Sequence, residues 1–281
     1  MSVTAIARKD FQDARGSRAL WLLTALFVLF AAFMVWAFTE FEAGGVGADP
    51  DLAALGFFDF LAASAALFVS VTALVVAYKA VAGERDTGSA KLLLGLPHSR
   101  RDVVLGKTLG RGLTMAIPVL LGFAIALALA FALLGSVNVV DYALFVAVTV
   151  LFAFAYVSLM VAVSTSVATT SRASALAFGT FVVLELVWNL VATGAVYVAN
   201  GFALPASFAA YPEWYFGLVS FVPSSAYQSA VSAAVSGATT GAGVAGMDAV
   251  YLEPWFGFVW LALWATVPLA LAYAKFTGAD L

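Results

Sequence analysis

The chain has no cysteine, and that absence excludes disulfides, thiolate catalysis and Cys-ligated metals. It has one histidine, His98, so no site built from several imidazoles can form within one copy. Charge is scarce: Asp, Glu, Lys and Arg make up 10% of the 281 residues, where soluble domains carry about 25%. The chain also lacks the G-x-x-x-x-G-K-[ST] of a phosphate-binding loop. Gly106-Lys107-Thr108 matches its tail, but Arg101 occupies the position of the first glycine and no strand precedes it. An H-E-x-x-H metalloprotease motif is missing too. Serine-histidine chemistry inside a membrane has no histidine to use, because His98 lies in a polar loop. An intramembrane enzyme is therefore excluded.

What is abundant is apolar surface. Hydrophobic residues make up 64% of the chain and the mean hydropathy is +1.03. A chain of this composition has lipid as its main solvent, and its length is best counted in spans of about 20 apolar residues. Six such runs occur: Ala19 to Phe38, Phe57 to Ala77, Leu113 to Leu134, Tyr142 to Val163, Ala173 to Ala199 and Phe256 to Ala274. All are expected to be helices, because a helix satisfies its own backbone polar groups in hydrocarbon. The fold class is an all-α polytopic membrane protein.

The bases segregate. Arg8, Lys9, Arg15 and Arg18 precede the first span, and Lys79, Arg85, Lys91, Arg100, Arg101, Lys107 and Arg111 flank or fill the loop between spans two and three. Arg172 separates spans four and five, and Lys275 follows span six. These are all 13 Lys and Arg residues, and all fall on one side. The positive-inside rule makes that side cytoplasmic, with both termini inside and the protein multi-pass in the plasma membrane. The opposite loops carry only acids, among them Glu40, Asp141, Glu213 and Glu253. Trp21 and Trp36 mark the two ends of span one, 15 residues apart, about 22 Å of helix, as aromatic belts require.

Met1 to Arg18 places Val3, Ile6, Ala7, Phe11 and Ala14 at helical spacing, with Arg8, Lys9, Asp10, Gln12, Asp13 and Arg15 on the other faces. It reads as an interfacial helix on the inner leaflet; the plainer alternative is a charged flank that only sets topology. The segment from Asn200 to Trp255 is too apolar for an ordinary loop and contains Pro223 and scattered serines, so short outer helices fit it better than a seventh span. A seventh span would put the C-terminus outside and break the charge pattern at Lys275.

The loop between spans two and three holds the most informative stretch. In ERDTGSAKLLLG, Glu84 to Gly95, Asp86 or Thr87 can cap a short helix, and Leu92, Leu93, Leu94 and Leu96 form an apolar cluster too short to span. Pro97 breaks the helix. Ser99-Arg100-Arg101-Asp102 then fits a capping box, with Asp for the usual Glu, that starts a helix running through Lys107 into span three.

Gly83 to Lys107, GERDTGSAKLLLGLPHSRRDVVLGK, resembles the signature of ABC-2 type permeases, the membrane subunits of ATP-binding-cassette exporters. Glu84, Gly88, Leu92, Leu93, Pro97, Ser99, Arg100, Gly106 and Lys107 match in type and spacing; Ser89, Ala90 and Lys91 depart from it. The six-span layout is similar too. FVPSSAYQ, Phe221 to Gln228, is similar to a Pro-x-x-Ala-Tyr element of the subgroup of the nitrous-oxide-reductase maturation permease.

The resemblance implies a coupling helix after span two that docks on a cytoplasmic ABC ATPase subunit. Glu84, Thr87, Gly88, Leu92, Leu93, Pro97, Ser99, Arg100, Arg101 and Lys107 would be the coupling residues. It implies a second permease copy, in a homodimer, and membrane lipid as partners, with no nucleic acid. ATP and Mg would belong to the ATPase, this chain binding no cofactor. Alternatively, the basic residues of the loop only fix topology. A role in copper-enzyme maturation follows from the subgroup, but one histidine, no cysteine and five scattered methionines make no copper site.

Inside the membrane, Glu185 lies midway along span five. A charge at a helix centre costs about 2.5–3.5 kcal/mol on insertion scales and marks a functional or paired group. Glu185 is protonated, shares a proton with its copy, or faces a water-filled path. Asn189 is four residues on, sharing its face, and Trp188 is near it, so Glu185, Trp188 and Asn189 are candidates for a translocation path; the alternative is a structural hydrogen bond. A stand-alone proton-coupled secondary transporter using Glu185 is the competing function. Such proteins show internal repeats, and spans one to three do not repeat in four to six. An apolar path with one carboxylate suits lipids or hydrophobic molecules.

Overall fold

The computed structural model describes residues 3–43, 50–88, 99–236, 238, 247 and 249–278. Among them every regular element is a helix. Six helices are long and apolar enough to cross a membrane: Arg18–Glu40, Gly56–Asp86, Arg100–Leu134, Val139–Thr165, Thr170–Ala199 and Phe256–Thr277. They coincide with the six runs read from hydropathy. The third is much longer than its apolar part because its helix begins in the polar loop.

α1 (Val3–Arg15) turns at Gly16 into α2 (Arg18–Ala37), span one. Ser17 makes the elbow. Its hydroxyl accepts from Leu20 N at 3.2 Å and donates to the Ala14 carbonyl at 2.7 Å, capping one helix and closing the other. α3 (Pro50–Ala77) is span two. A turn and α4 (Ala82–Asp86) follow. α5 (Arg100–Leu134) is span three with its polar extension, and α6 (Val139–Thr165) is span four. Span five is α7 (Thr170–Phe181), a π-helical turn over Val182–Val187, and α8 (Trp188–Ala199). The outer segment folds into α9 (Glu213–Ser220) and α10 (Pro223–Ala234), and α11 (Phe256–Thr277) is span six.

α6 is the central helix. It packs against α3, α5, α7, α10 and α11, and Phe145, Phe152, Tyr156 and Met160 along it are completely buried. Lipid cannot drive membrane helices together as water does, so close approach at small residues matters. α5 supplies these. A Cβ on Gly106 would stand 2.7 Å from Ile6 Cβ, and one on Gly110 would stand 2.8 Å from Asp10 Cβ and 3.0 Å from the Ala7 carbonyl. Gly106 and Gly110, one helical turn apart, are thus the seat of α1. Ile6 and Ala7 are buried there, so the apolar stripe read from the sequence faces the bundle.

Asp10 is buried with them, at 5% exposure. The sequence reading assigned it to a polar face, yet it stands four residues after Ile6 and therefore on the same side. The two bases that neutralise it lie about a hundred residues further on, where periodicity within α1 cannot show them.

α10 explains the Pro-x-x-Ala-Tyr element. Pro223 occupies the first helical turn, where its missing N–H costs nothing. Ala226 faces Gly257 of α11, whose lack of a side chain lets the two backbones meet: a Cβ there would collide with the Ala226 carbonyl and lie 2.6 Å from Ala230 N. Tyr227 stacks on Phe152, centroids 4.6 Å apart, and shares a 2.8 Å hydrogen bond with Thr149 of α6. The outer segment is therefore short helices, one of them inserted between spans.

Candidate functional site

Two regions carry polar chemistry. The first is at the end of the bundle where α1, α4, the start of α5 and the end of α11 meet.

The turn after span two is fixed from several directions. Val81 N and Ala82 N both donate to the Ser164 hydroxyl, at 3.1 and 3.0 Å. Arg85 donates to the Val167 carbonyl at 3.0 Å. Asp86 accepts from Thr170 N at 3.2 Å, satisfying an amide in the first turn of span five. Thr87 closes α4 at its C-terminal end, and Gly88, with φ 74°, turns the chain away in the left-handed region that favours glycine. The helix that Asp86 or Thr87 was expected to begin lies outside the described residues; among those described, Thr87 ends α4 and Asp86 accepts from the first turn of span five. Leu92, Leu93 and Pro97 lie outside the described residues.

The description resumes at Ser99, which caps α5. The Ser99 hydroxyl accepts from Asp102 N at 3.1 Å, and the Asp102 carboxylate accepts from Ser99 N at 3.1 Å. This reciprocal pair is the capping box read from the sequence. Arg100 donates to the carbonyls of Phe276 and Thr277 and stands over the Phe276 ring, 5.3 Å from its centroid. It ties the start of span three to the end of span six. Its neighbour Arg101 is exposed and points to a groove between the same two helices.

Lys107 ties the two arms together. Its ammonium is 2.6 Å from Glu84 Oε1 and 2.9 Å from Asp10 Oδ1, and it is 8% exposed. Arg111, one turn further along α5, brings Nε to 3.0 Å from Asp10 Oδ2 and donates to the Val76 carbonyl at 3.3 Å. Two acids and two bases make a neutral cluster, which offsets the desolvation that isolated buried charges would suffer. Gly106, Lys107 and Thr108, the apparent tail of a phosphate loop, are all engaged internally: a seat for α1, an ion pair, and a 2.9 Å bond from the Thr108 hydroxyl to the Val104 carbonyl. Asp10, Arg111 and Ser164 escaped sequence reading, since nothing in their local context distinguishes them.

The second region surrounds Glu185. The carboxylate lies in the π-helical turn of span five, a local geometry that recurs at functional positions. Ser70 of span two donates to Glu185 Oε1 at 3.1 Å, and the hydroxyls of Tyr156 and Ser224 complete its polar surroundings. Span two, span four and α10 thus converge on one acid from span five. Glu185 is half-buried and faces its own bundle. Asn189 is exposed on the outside of the protomer, so the spacing that relates it to Glu185 does not carry it into this patch. Trp188 donates from Nε1 to the Leu218 carbonyl at 2.7 Å, fastening span five to α9. Ser70, Tyr156 and Ser224 are the neighbours of Glu185 that sequence reading missed; they lie on three other elements. Among the described residues no group of three His, Asp or Glu converges as metal ligands would.

Six helices able to cross a membrane, a braced polar end and an acid midway along span five define a polytopic helical membrane protein. The chain belongs to the ABC-2 family of transporter proteins, whose match extends over residues 4–281. It is similar to the probable ABC transporter permease protein NosY of Stutzerimonas stutzeri, 30% identical over 282 residues, which cover 96% of each chain. It is similar to the protein of the same description from Pseudomonas aeruginosa, 29% identical over 283 residues, which cover 98% of this chain and 97% of that one. This chain is thus the permease, or membrane subunit, of an ABC transporter, and its family implies a partner ATPase subunit.

Proposed function

We propose that this permease belongs to an exporter and that residues 84–107 couple it to its ATPase. Two copies of the chain assemble with two ATPase chains, which bind ATP and Mg; this chain binds neither. The end of the bundle that gathers the bases faces the cytoplasm, with both termini, in the plasma membrane.

The observation that carries this reading is the bracing on either side of residues 89–98. On one side Glu84 bonds to span three, Arg85 to the turn after span four, and Asp86 to the start of span five. On the other, Ser99 caps span three and Arg100 bonds to the end of span six. A push on the segment between these anchors reaches spans three to six without passing through a flexible link, as a rigid-body mechanism requires. Leu92, Leu93 and Pro97 are the part that the ATPase grips. Thr87 and Gly88 set the direction in which the chain leaves α4, and Arg101 lies at the rim. Glu84, Arg100 and Lys107 work inside the protomer and transmit the movement.

Glu185 is the polar station on the translocation path, with Trp188 holding the outer wall and Asn189 on the face open to a second copy. The hydroxyl surroundings of Glu185 also favour a second reading, a proton-coupled transporter acting alone. A mild-detergent pull-down of the tagged chain from its host separates the two. Co-purification of a chain with an intact phosphate-binding loop supports the ABC exporter. A chain that purifies alone, and stays alone after crosslinking through Lys91, overturns it and leaves the proton-coupled reading.

A further inference from the structure

A groove of about 260 Å³ runs between α5 and α11 on the outside of the protomer. Its walls are apolar: Val104 and Leu105 from α5 face Ala265, Leu269 and Ala270 from α11. Val104 and Leu269 are buried, whereas Thr266 and Ala270 are exposed, so the groove opens sideways. The Thr266 hydroxyl is bonded to the Ala262 carbonyl of its own helix, and the other polar groups, Arg101 and Tyr273, line the mouth at one end.

The depth of this groove follows from α11. Its 22 residues measure about 33 Å at 1.5 Å per residue, only just enough for a hydrocarbon core of about 30 Å. Tyr273 therefore lies at the interface, where tyrosine is favoured, and Ala265, about 12 Å deeper, lies near the midplane. The apolar walls are at acyl-chain depth and the guanidinium is at headgroup depth. Arg101 is exposed and has no ion-pair partner among the described residues. Arg100 beside it is committed to Phe276 and Thr277.

We propose that this groove is a binding site for an anionic phospholipid, one acyl chain lying between α5 and α11 and the phosphate paired with Arg101. A free anion has no use for the apolar walls, and a lipid without net charge leaves Arg101 uncompensated. Basic pockets between membrane helices on the cytoplasmic side suit anionic headgroups for this reason. The lipid would brace spans three and six against each other beside the Arg100 clamp. The orientation proposed above decides only which leaflet supplies the lipid; retention of the lipid in detergent does not depend on it.

The test is native mass spectrometry of the full chain in detergent, with phosphatidylglycerol or phosphatidylcholine added at equal concentration. The expected result is one retained phosphatidylglycerol per chain in preference to phosphatidylcholine. Arg101→Gln lowers that retention about fivefold, the factor that one basic side chain near an anionic surface contributes, and Ala270→Trp, which fills the groove, abolishes it. Arg172→Gln, an equal loss of charge elsewhere at the same end, leaves it unchanged. Arg101 and Ala270 are exposed, so both variants should fold, and a monodisperse elution profile checks this. Equal retention of the two lipids by the unmodified chain overturns the site. So does equal retention by Arg101→Gln and the unmodified chain, or a loss in Arg172→Gln that matches the loss in Arg101→Gln.

Discussion

The Lys107 ammonium stands 2.6 Å from the Glu84 carboxylate, so one ion pair joins the short helix after span two to span three. The same ammonium holds Asp10 of α1. Replacing Lys107 with Met leaves Asp10 buried beside Arg111 alone and Glu84 without this partner. Breaking a buried pair from one side costs about 3–5 kcal/mol. Thermal unfolding in detergent should show a clearly lowered midpoint. An unchanged midpoint would mean that the cluster is solvated and contributes no stability.

α1 is seated by the absence of two side chains. Gly110→Leu puts a branched group where Asp10 Cβ and the Ala7 carbonyl already stand, and overpacking of this kind costs about 1–3 kcal/mol. The expected readout is faster trypsin cleavage at Arg8, Lys9 or Arg15, with the spans intact. Gly179→Leu is the control, because nothing lies within 4 Å of a Cβ at Gly179; its cleavage pattern should match that of the unmodified chain.

Substituting Asp for both Leu92 and Leu93 should release the ATPase from the purified complex while the permease elutes as before. Retention of the ATPase at full stoichiometry would remove the coupling role from these leucines.

Glu185→Gln keeps a hydrogen-bond acceptor for Ser70 but removes the charge and the proton. Assembly should survive and transport in reconstituted vesicles should change. Glu185→Leu should also lower the thermal midpoint, because Ser70 loses an interhelical bond worth about 0.6 kcal/mol on average in membrane helices. If Gln and the native residue transport equally, Glu185 is structural.

Tyr227→Phe removes the hydroxyl shared with Thr149 and retains the stacking on Phe152. The expected loss is about 1 kcal/mol. Gly257→Val, which collides with the α10 backbone, should be much more damaging in the same unfolding measurement.

Properties that repeat along the chain were legible in the sequence. Apolar runs gave all six spans, because length and hydropathy are what a bilayer selects. The Ser99 cap was legible because its partner, Asp102, is three residues away. Groups that pair over long separations were not. Asp10 looked like one more charge on a polar face, and its meaning depends on Lys107 and Arg111. Glu185 was identifiable as an anomaly, but Ser70, Tyr156 and Ser224 are ordinary residues on other elements and came to surround it only through packing. The resemblance at Pro223, Ala226 and Tyr227 gave no physical role; Gly257 and Thr149 supply it. Arg101 was grouped with its neighbours by proximity in sequence, whereas the helix separates it from Arg100 by about a quarter of a turn and sends the two to different tasks.

The seat of α1 has a consequence for the order of events on the ribosome. Asp10 precedes its partner Lys107 by 97 residues, a delay of roughly 5–20 s at typical rates of synthesis. During that interval spans one and two are already made, and the carboxylate that will end up buried has neither base to meet. α1 therefore waits for span three, whose arrival is the event that docks it.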